Sequence, residues 1–196
     1  MDEIIVSINC ITYNHENYIA DAIESFLMQK TNFKFEILIH DDASTDKTAE
    51  IIKKYEEKYP DIIKPIYQKE NQYSKGKKVT LLNLQRAKGK YIAYCEGDDY
   101  WVDNNKLQNQ VEILESNDGL VATFHKVEEV LPDKSKMNSC IEVPFIRNQC
   151  VYNIEDIIGF DGKVIHLSSL LFRTKAFSNE NVPPFFYNAV VGDLPL

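Results

Sequence analysis

Short apolar runs alternate with segments of helical periodicity between residues 4 and 114. The apolar runs predict buried strands over residues 4–11, 35–39, 62–67 and 91–95. The segments that follow them repeat apolar side chains every three or four residues, which predicts helices over residues 18–27, 49–59, 79–87 and 107–114. Strands that alternate with helices form a mostly parallel sheet with helices on both faces, so we expect an α/β fold.

This alternation weakens after about residue 125. Residues 131–151 are polar and irregular, which predicts a long loop or a hairpin, and residues 164–172 predict one further strand. A chain of 196 residues is long enough for one compact domain, or for one domain with an appendage.

Charge and terminal patterning exclude several classes of protein. The net charge of −8 argues against a nucleic-acid binder, which needs a basic face. The acidic start at Met1-Asp2-Glu3 runs straight into a strand, so we expect no signal peptide. No apolar run approaches the ~18 residues of a transmembrane segment. Cys10 and Cys95 lie inside predicted strands and are expected to be buried, reduced thiols, which suits a cytoplasmic protein.

Two acidic clusters follow predicted strands. Asp41-Asp42 leads on to Asp46 after the second strand, and Glu96-Gly97-Asp98-Asp99 follows the fourth. Adjacent carboxylates repel one another and are costly to desolvate, so a cation or ligand hydroxyls would account for them. The alternative is structural: a turn and a helix cap, with Ser44, Thr45 or Asp46 as the cap. Because parallel strands end at one edge of the sheet, both clusters can line a single crevice.

Neither of the glycine-rich phosphate-binding motifs is present in the chain. A nucleotide would therefore have its diphosphate neutralised by a metal held on carboxylates. Mn²⁺ and Mg²⁺ prefer such oxygen ligands, and either ion is the expected cofactor.

The order of these pieces resembles glycosyltransferase family 2, whose members use nucleotide-diphospho-sugars and have the GT-A fold. The match is dense between residues 4 and 115 and looser later; its pieces are residues 6–8, 12–14, 25–29, 36–46, 87–93, 96–101, 166–173 and 192–193. The resemblance implies a Rossmann-like α/β domain with a nucleotide-sugar donor, most commonly a UDP-sugar. It also implies a glycan or lipid-linked acceptor in cell-envelope polysaccharide synthesis.

The resemblance also implies roles for individual residues on the donor side. Asp42 matches the carboxylate that contacts the nucleobase, and the Ile11-Thr12-Tyr13 backbone would line the base pocket. Asp98 is expected near the ribose. Glu96 stands where many relatives have Asp, and it is grouped with the donor-binding residues.

The remaining roles concern the basic loop, the metal and the chemistry. Lys75 lies in a basic loop that either meets the nucleotide or is simply solvated. Asp99 is the expected metal ligand, together with Asp98. Asp193 matches the late acidic residue that is the catalytic base of inverting members, where a positioned carboxylate accepts the proton of the attacking hydroxyl. His166 is a further candidate for the acceptor side or the leaving group.

The expected organisation is a donor-binding half over residues 1–125 and an acceptor-side half over residues 126–196 of one domain. Relatives continue beyond the position of Leu196, so we expect the acceptor side to be truncated. Association with the inner face of a membrane is compatible with these expectations. Two alternatives are a sugar-nucleotide-binding module without turnover and a nucleotidyltransferase. The second would need a glycine-rich, Arg-containing loop after the first strand, and residues 12–17 do not supply one.

Overall fold

The computed structural model describes residues 3–141, 151 and 165–177. The helices are α1 (Ile19–Leu27), α2 (Thr48–Lys58), α3 (Val79–Arg86) and α4 (Lys106–Ser116). The strands are β1 (Ile4–Thr12), β2 (Lys34–Asp41), β3 (Ile63–Tyr67), β4 (Tyr91–Tyr94), β5 (Ala122–Thr123), β6 (Val127–Val130), β7 (Lys136–Ile141) and β8 (Leu171–Arg173). The strands and helices predicted up to residue 114 are thus all present, with ends shifted by a few residues.

The central sheet has six strands in the order β3-β2-β1-β4-β8-β5. The four strands from β3 to β4 are parallel, whereas β8 runs antiparallel to β4 and β5 runs antiparallel to β8. The predicted mostly parallel sheet is therefore confirmed. Because β1 lies between β2 and β4, the loops that leave these three strands meet at one edge of the sheet.

The two faces of β1 differ in chemistry. Val6, Ile8 and Cys10 belong to the main core, which also contains apolar residues of α1, α2 and α4. The opposite face carries polar residues that are bonded within the protein. Ser7 Oγ donates to Glu36 Oε1 at 2.6 Å, and Asn83 Nδ2 of α3 donates to Asn9 Oδ1 at 2.9 Å. Alternation of side chains along the strand thus places an apolar layer on one face and a polar network on the other.

The cysteine prediction is confirmed for both strand-end thiols. Cys10 and Cys95 are free and completely buried. Burial raises the pKa of each thiol well above its ordinary value, because the thiolate would be desolvated. Both are therefore inert components of the core rather than reactive groups.

The later part of the chain corrects one prediction and extends another. Within the stretch predicted as a strand over residues 164–172, a short 3₁₀ helix spans Leu167–Ser169 and the strand is limited to Leu171–Arg173. The hydroxyl of Ser169 donates to the His166 carbonyl at 2.7 Å, and this local bond favours a turn over a strand ladder. The β6–β7 hairpin covers the first part of the stretch predicted as a loop or a hairpin over residues 131–151, and its first strand, Val127–Val130, precedes that stretch. Residues 142–150 lie outside the described residues.

In the described residues, no helix combines the length and the apolar character that crossing a membrane requires.

Candidate functional site

The backbone at the end of β1 is bonded to both acidic loops. The Asp42 amide donates to the Thr12 carbonyl at 3.0 Å, and the Gly97 amide donates to the Ile11 carbonyl at 2.9 Å. The two clusters predicted from the sequence therefore do lie on either side of the β1 end. Parallel pairing continues up to Thr12 and Asp41, so the edge of the sheet is set by strand register.

The first acidic cluster mainly joins two loops of the protein through hydrogen bonds. Asp46 accepts hydrogen bonds from the Glu16 amide at 3.0 Å and the Thr48 amide at 2.9 Å. Asp41 accepts from the Ser44 hydroxyl and amide, and burial raises the pKa of its carboxyl. Asp41 and Asp46 therefore do not need the expected cation or ligand hydroxyls, because the protein itself supplies their hydrogen-bond partners.

Asp46 is one of the three residues predicted to cap the second helix, and its carboxylate does so. Helix α2 begins at Thr48, and Asp46 accepts from the Thr48 amide at 2.9 Å. A second acceptor is Glu16 Oε2, which accepts from the Lys47 amide at 2.9 Å. One cap therefore comes from a loop about 30 residues away in sequence, a partner that a local sequence pattern does not reveal.

Asp42 is 1% exposed and holds another loop. Its Oδ1 accepts from the Gln72 amide at 2.8 Å, and its Oδ2 accepts from the Tyr73 amide at 3.0 Å. His40 Nε2 lies 3.4 Å from Oδ1. The carboxylate thus anchors the segment that leads into the short 3₁₀ helix Tyr73–Lys75. A contact between Asp42 and a nucleobase stays a prediction. It would be additional to the hydrogen bonds that the carboxylate already accepts from this segment.

The second acidic cluster fits a divalent cation. Glu96, Asp98 and Asp99 each offer one carboxylate oxygen, and these three oxygens lie within 4.8 Å of one another. Three hard oxygen donors at such separations suit Mn²⁺ or Mg²⁺. Burial raises the pKa of the Asp99 carboxyl, because its ionised form is partly desolvated.

Asp99 is supported by the 3₁₀ turn Leu167–Ser169. His166 Nδ1 lies 3.9 Å from Asp99 Oδ2 and 2.8 Å from the Ser168 hydroxyl, so the turn faces the carboxylate. Trp101 holds this turn in place, since its Nε1 donates to the Ser168 carbonyl at 2.7 Å. Trp101 is 4% exposed and packs on Phe26 in the core, so it supports the acidic loop rather than offering a sugar platform.

Two buried polar side chains of α4 hold the same turn. Gln110 Nε2 donates to the Ser169 carbonyl at 2.9 Å, and Lys106 Nζ donates to Gln110 Oε1 at 2.6 Å. The Lys106 ammonium lies 4.1 Å from the centre of the Trp101 ring. Burial lowers the pKa of Lys106 to about 7. Sequence reasoning missed both residues, because an α4 lysine and glutamine carry no local sign of burial.

The other residues proposed from the sequence are placed as follows. Thr12 is 1% exposed, whereas Tyr13 is 43% exposed at the open edge of the sheet. Lys75 lies on the basic loop and forms an ion pair with Glu70, which corresponds to the solvated alternative for this loop. A donor role for Tyr13 or Lys75 stays a prediction. Asp193 lies outside the described residues.

His15 is a neighbour of the acidic loop that sequence reasoning also missed. Its Nε2 lies 3.7 Å from Asp98 Oδ2, although the two residues are 83 positions apart in the chain. A polar residue directly after the end of β1 was the available signal, since such loops face the ligand edge of a parallel sheet.

Comparison with known proteins identifies a family and a shared fold. The model of glycosyl transferase family 2 matches residues 7–177. An uncharacterized protein of Mycobacterium tuberculosis is 41% identical over 133 residues, which are 67% of this chain and 37% of that protein. An Escherichia coli UDP-Glc:alpha-D-GlcNAc-diphosphoundecaprenol beta-1,3-glucosyltransferase is 40% identical over 113 residues, 57% of this chain and 42% of that protein.

The fold is shared with a solved structure of S. aureus TarS, residues 1–349, in complex with UDP. That structure has a TM-score of 0.66 and 21% sequence identity, and the match covers 97% of this chain and 53% of TarS. The chain spans about two fifths of the length of the curated relatives above. The match to the family model over most of the chain, together with the shared α/β fold, shows that this chain belongs to glycosyltransferase family 2.

Proposed function

We propose that this chain contains the donor site of a metal-dependent, inverting glycosyltransferase that uses a nucleotide-diphosphate sugar. The observation that carries the proposal is the set of three converging carboxylates, Glu96, Asp98 and Asp99, at the carboxyl end of β4 in a family 2 chain. In a protein of net charge −8, a diphosphate needs cations nearby to approach these carboxylates. A UDP-sugar is the proposed donor, and UDP occurs in the names of both the E. coli relative and the TarS complex.

The proposed donor site divides into a base side and a diphosphate side. Tyr13, together with the backbone of Ile11 and Thr12, forms the base side, and Asp42 holds the Gln72–Tyr73 segment beside it. Lys75 is the proposed cation of this side.

On the diphosphate side, Asp99 and Asp98 would hold Mn²⁺ or Mg²⁺, with Asp98 and Glu96 next to the ribose. The cation would stabilise the charge that grows on the departing nucleoside diphosphate. Trp101 and Gln110 hold the Leu167–Ser169 turn beside Asp99, which would reduce the reorganisation needed when donor binds.

The chemistry we propose is a single displacement at the anomeric carbon. The acceptor hydroxyl attacks, the bond to the nucleoside diphosphate breaks, and the proton of the hydroxyl passes to Asp193. The acceptor would be a glycan or a lipid-linked sugar of the cell envelope, which is supported by the diphosphoundecaprenol substrate in the name of the E. coli relative. We further propose residues 1–125 as the donor half, residues 126–196 as part of the acceptor side, and a cytoplasmic location at the inner face of the membrane.

A second candidate is a sugar-nucleotide-binding module without turnover. The two candidates share donor binding and differ in chemistry, so a donor-hydrolysis assay on the same preparation separates them.

Titration of the chain with UDP in Mn²⁺ and in EDTA tests the proposed function directly. We expect binding in Mn²⁺ and a loss of at least about tenfold in affinity in EDTA, which corresponds to ~1.4 kcal/mol. Calorimetry measures both affinities, and a panel of other nucleotides in the same buffers tests the choice of UDP. Equal affinities in Mn²⁺ and EDTA would contradict the metal assignment.

Replacing Asp42 by Ala should weaken UDP binding by about tenfold while the ratio of affinities in Mn²⁺ and EDTA is retained. The substitution leaves the Gln72 and Tyr73 amides without their acceptor, so the base side of the site loses its anchor. It should also lower the free energy of unfolding by about 1–3 kcal/mol, the cost of unpaired buried groups. Asp42→Asn is the matched variant, because its amide oxygen can still accept one of the two bonds. Unchanged UDP affinity together with lower stability would limit Asp42 to holding the loop.

A further inference from the structure

The backbone of His15 is held by hydrogen bonds to the start of α1 and to residues about 30 positions later in the chain. Its amide donates to Thr48 Oγ1 at 2.8 Å, and its carbonyl accepts from the Tyr18 and Ile19 amides at 2.9 Å each, where α1 begins. The adjacent amides of Asn14 and Glu16 donate to Ser44 Oγ and Asp46 Oδ2. The backbone that carries the imidazole is therefore held by the first acidic loop and by a helix start.

The imidazole also packs against the backbone of the second acidic loop. A Cβ built on Gly97 would lie 3.0 Å from His15 Nδ1 and 2.5 Å from Thr12 Oγ1, so only glycine fits between the loop and these two side chains. This contact fixes how closely the imidazole lies to Glu96 and Asp98, the two neighbours of Gly97. It is independent of the approach of Nε2 to Asp98.

The ring nitrogens have different surroundings. His15 Nδ1 is buried and has no hydrogen-bond partner within the part of the chain that the structure describes. Nε2 faces Asp98 Oδ2 at 3.7 Å. An unpaired buried acceptor costs less than an unpaired buried donor, so the proton of a neutral ring belongs on Nε2, where it points towards the carboxylate.

Resting on the proposed function, we propose that His15 is a positioning residue that orients the Asp98 carboxylate for donor binding. The three carboxylates of the second cluster repel one another, and the Asp98 side chain is 49% exposed, so it has room to rotate away. The Nε2–H of His15 attracts Oδ2 and turns the other oxygen towards the donor. Through His15, the first acidic loop acts on the second, although Asp46 and Thr48 do not themselves touch the donor.

Three substitutions of His15 test this role, with UDP and Mn²⁺ as the probe. Gln places an amide donor at about the reach of Nε2, whereas Asn places it near Nδ1, and Ala removes it. We expect Ala and Asn to weaken Mn²⁺-dependent UDP binding by about 3- to 10-fold, because the polar contact between Nε2 and Asp98 is lost. Gln should restore most of the affinity. His125→Ala is the matched control, because His125 is exposed and bonds the Lys126 carbonyl instead.

Thermal unfolding of each variant separates positioning from folding. If His15 had a purely structural role, its substitution would lower the unfolding midpoint, and the Gln and Asn variants would bind UDP equally. If His15 positions Asp98, the Gln variant should bind UDP more tightly than the Asn variant at similar unfolding midpoints. In a form of the protein that turns over, the KM for the donor should rise more than kcat falls. Wild-type affinity in His15→Ala, or equal rescue by Asn and Gln, would overturn the inference.

Asp99→Asn in the same series keeps the two proposals apart. If Asp99→Asn loses UDP binding while His15→Ala retains it, the role of His15 is rejected and the donor site stands. If the unaltered chain does not bind UDP in Mn²⁺, the proposed donor site is rejected, and the role of His15 is rejected with it.

Discussion

Asn in place of Asp99 is expected to remove most of the Mn²⁺-dependent affinity for UDP, by about 10²-fold or more, while the protein stays folded. Loss of a group that merely orients a metal ligand costs roughly 10–100-fold, so loss of a ligand should cost at least as much. The affinity in EDTA should hardly change, because the variant removes the metal's contribution and leaves the base side intact. Calorimetric titration of UDP in both buffers measures the two effects.

The thermal stability of Asp99→Asn should not fall below that of the unaltered protein. Burial raises the pKa of Asp99, which means that its ionised form is disfavoured in the folded protein compared with the unfolded chain. A neutral Asn of nearly the same shape removes this cost. Without metal, the unfolding midpoint at neutral pH should therefore be equal to that of the wild type or higher. The matched control is Asp61→Asn, an exposed change just before β3 at the opposite edge of the sheet. Full retention of Mn²⁺-dependent binding in Asp99→Asn would reject Asp99 as a ligand.

Asn in place of Asp193 should lower the rate of sugar transfer by about 10²- to 10⁴-fold, the usual contribution of a general base. The attacking hydroxyl must lose its proton as the new bond forms, and an amide cannot accept it. The affinity for UDP with Mn²⁺ should barely change, because a base on the acceptor side makes its contribution in the transition state. The measurement requires a form of the protein that transfers sugar, assayed with and without the substitution.

The contrast between Asp193 and Asp99 gives this test its control. Asp99→Asn should fail at the donor-binding step, whereas Asp193→Asn should bind donor normally and fail only in transfer. Near-equal transfer rates for Asp193→Asn and the unaltered protein would reject Asp193 as the base. His166, which lies 3.9 Å from Asp99, and Glu96 would then be the next candidates.

The layout of the fold could be predicted because its signals are local. Apolar runs and helical periodicity depend only on neighbouring residues, and they located every strand and helix up to residue 114. The short strand Ala122–Thr123 and the turn Leu167–Ser169 escaped prediction for the opposite reason. Two paired residues leave no periodicity, and the turn depends on bonds from Trp101 and Gln110, which lie about 60 residues earlier in the chain.

The sequence by itself determined that two acidic clusters would lie at one edge of a parallel sheet, since strand ends follow from local patterns and parallel strands end at the same edge. It did not distinguish between the clusters, which look alike as runs of carboxylates. Only the tertiary structure decided that Asp41, Asp42 and Asp46 are satisfied by hydroxyls and backbone amides of the fold, whereas Glu96, Asp98 and Asp99 converge on one point. The physical reason is that most of the amides which satisfy the first cluster, and the imidazole which faces the second, come from loops about 30 and about 80 residues away in sequence.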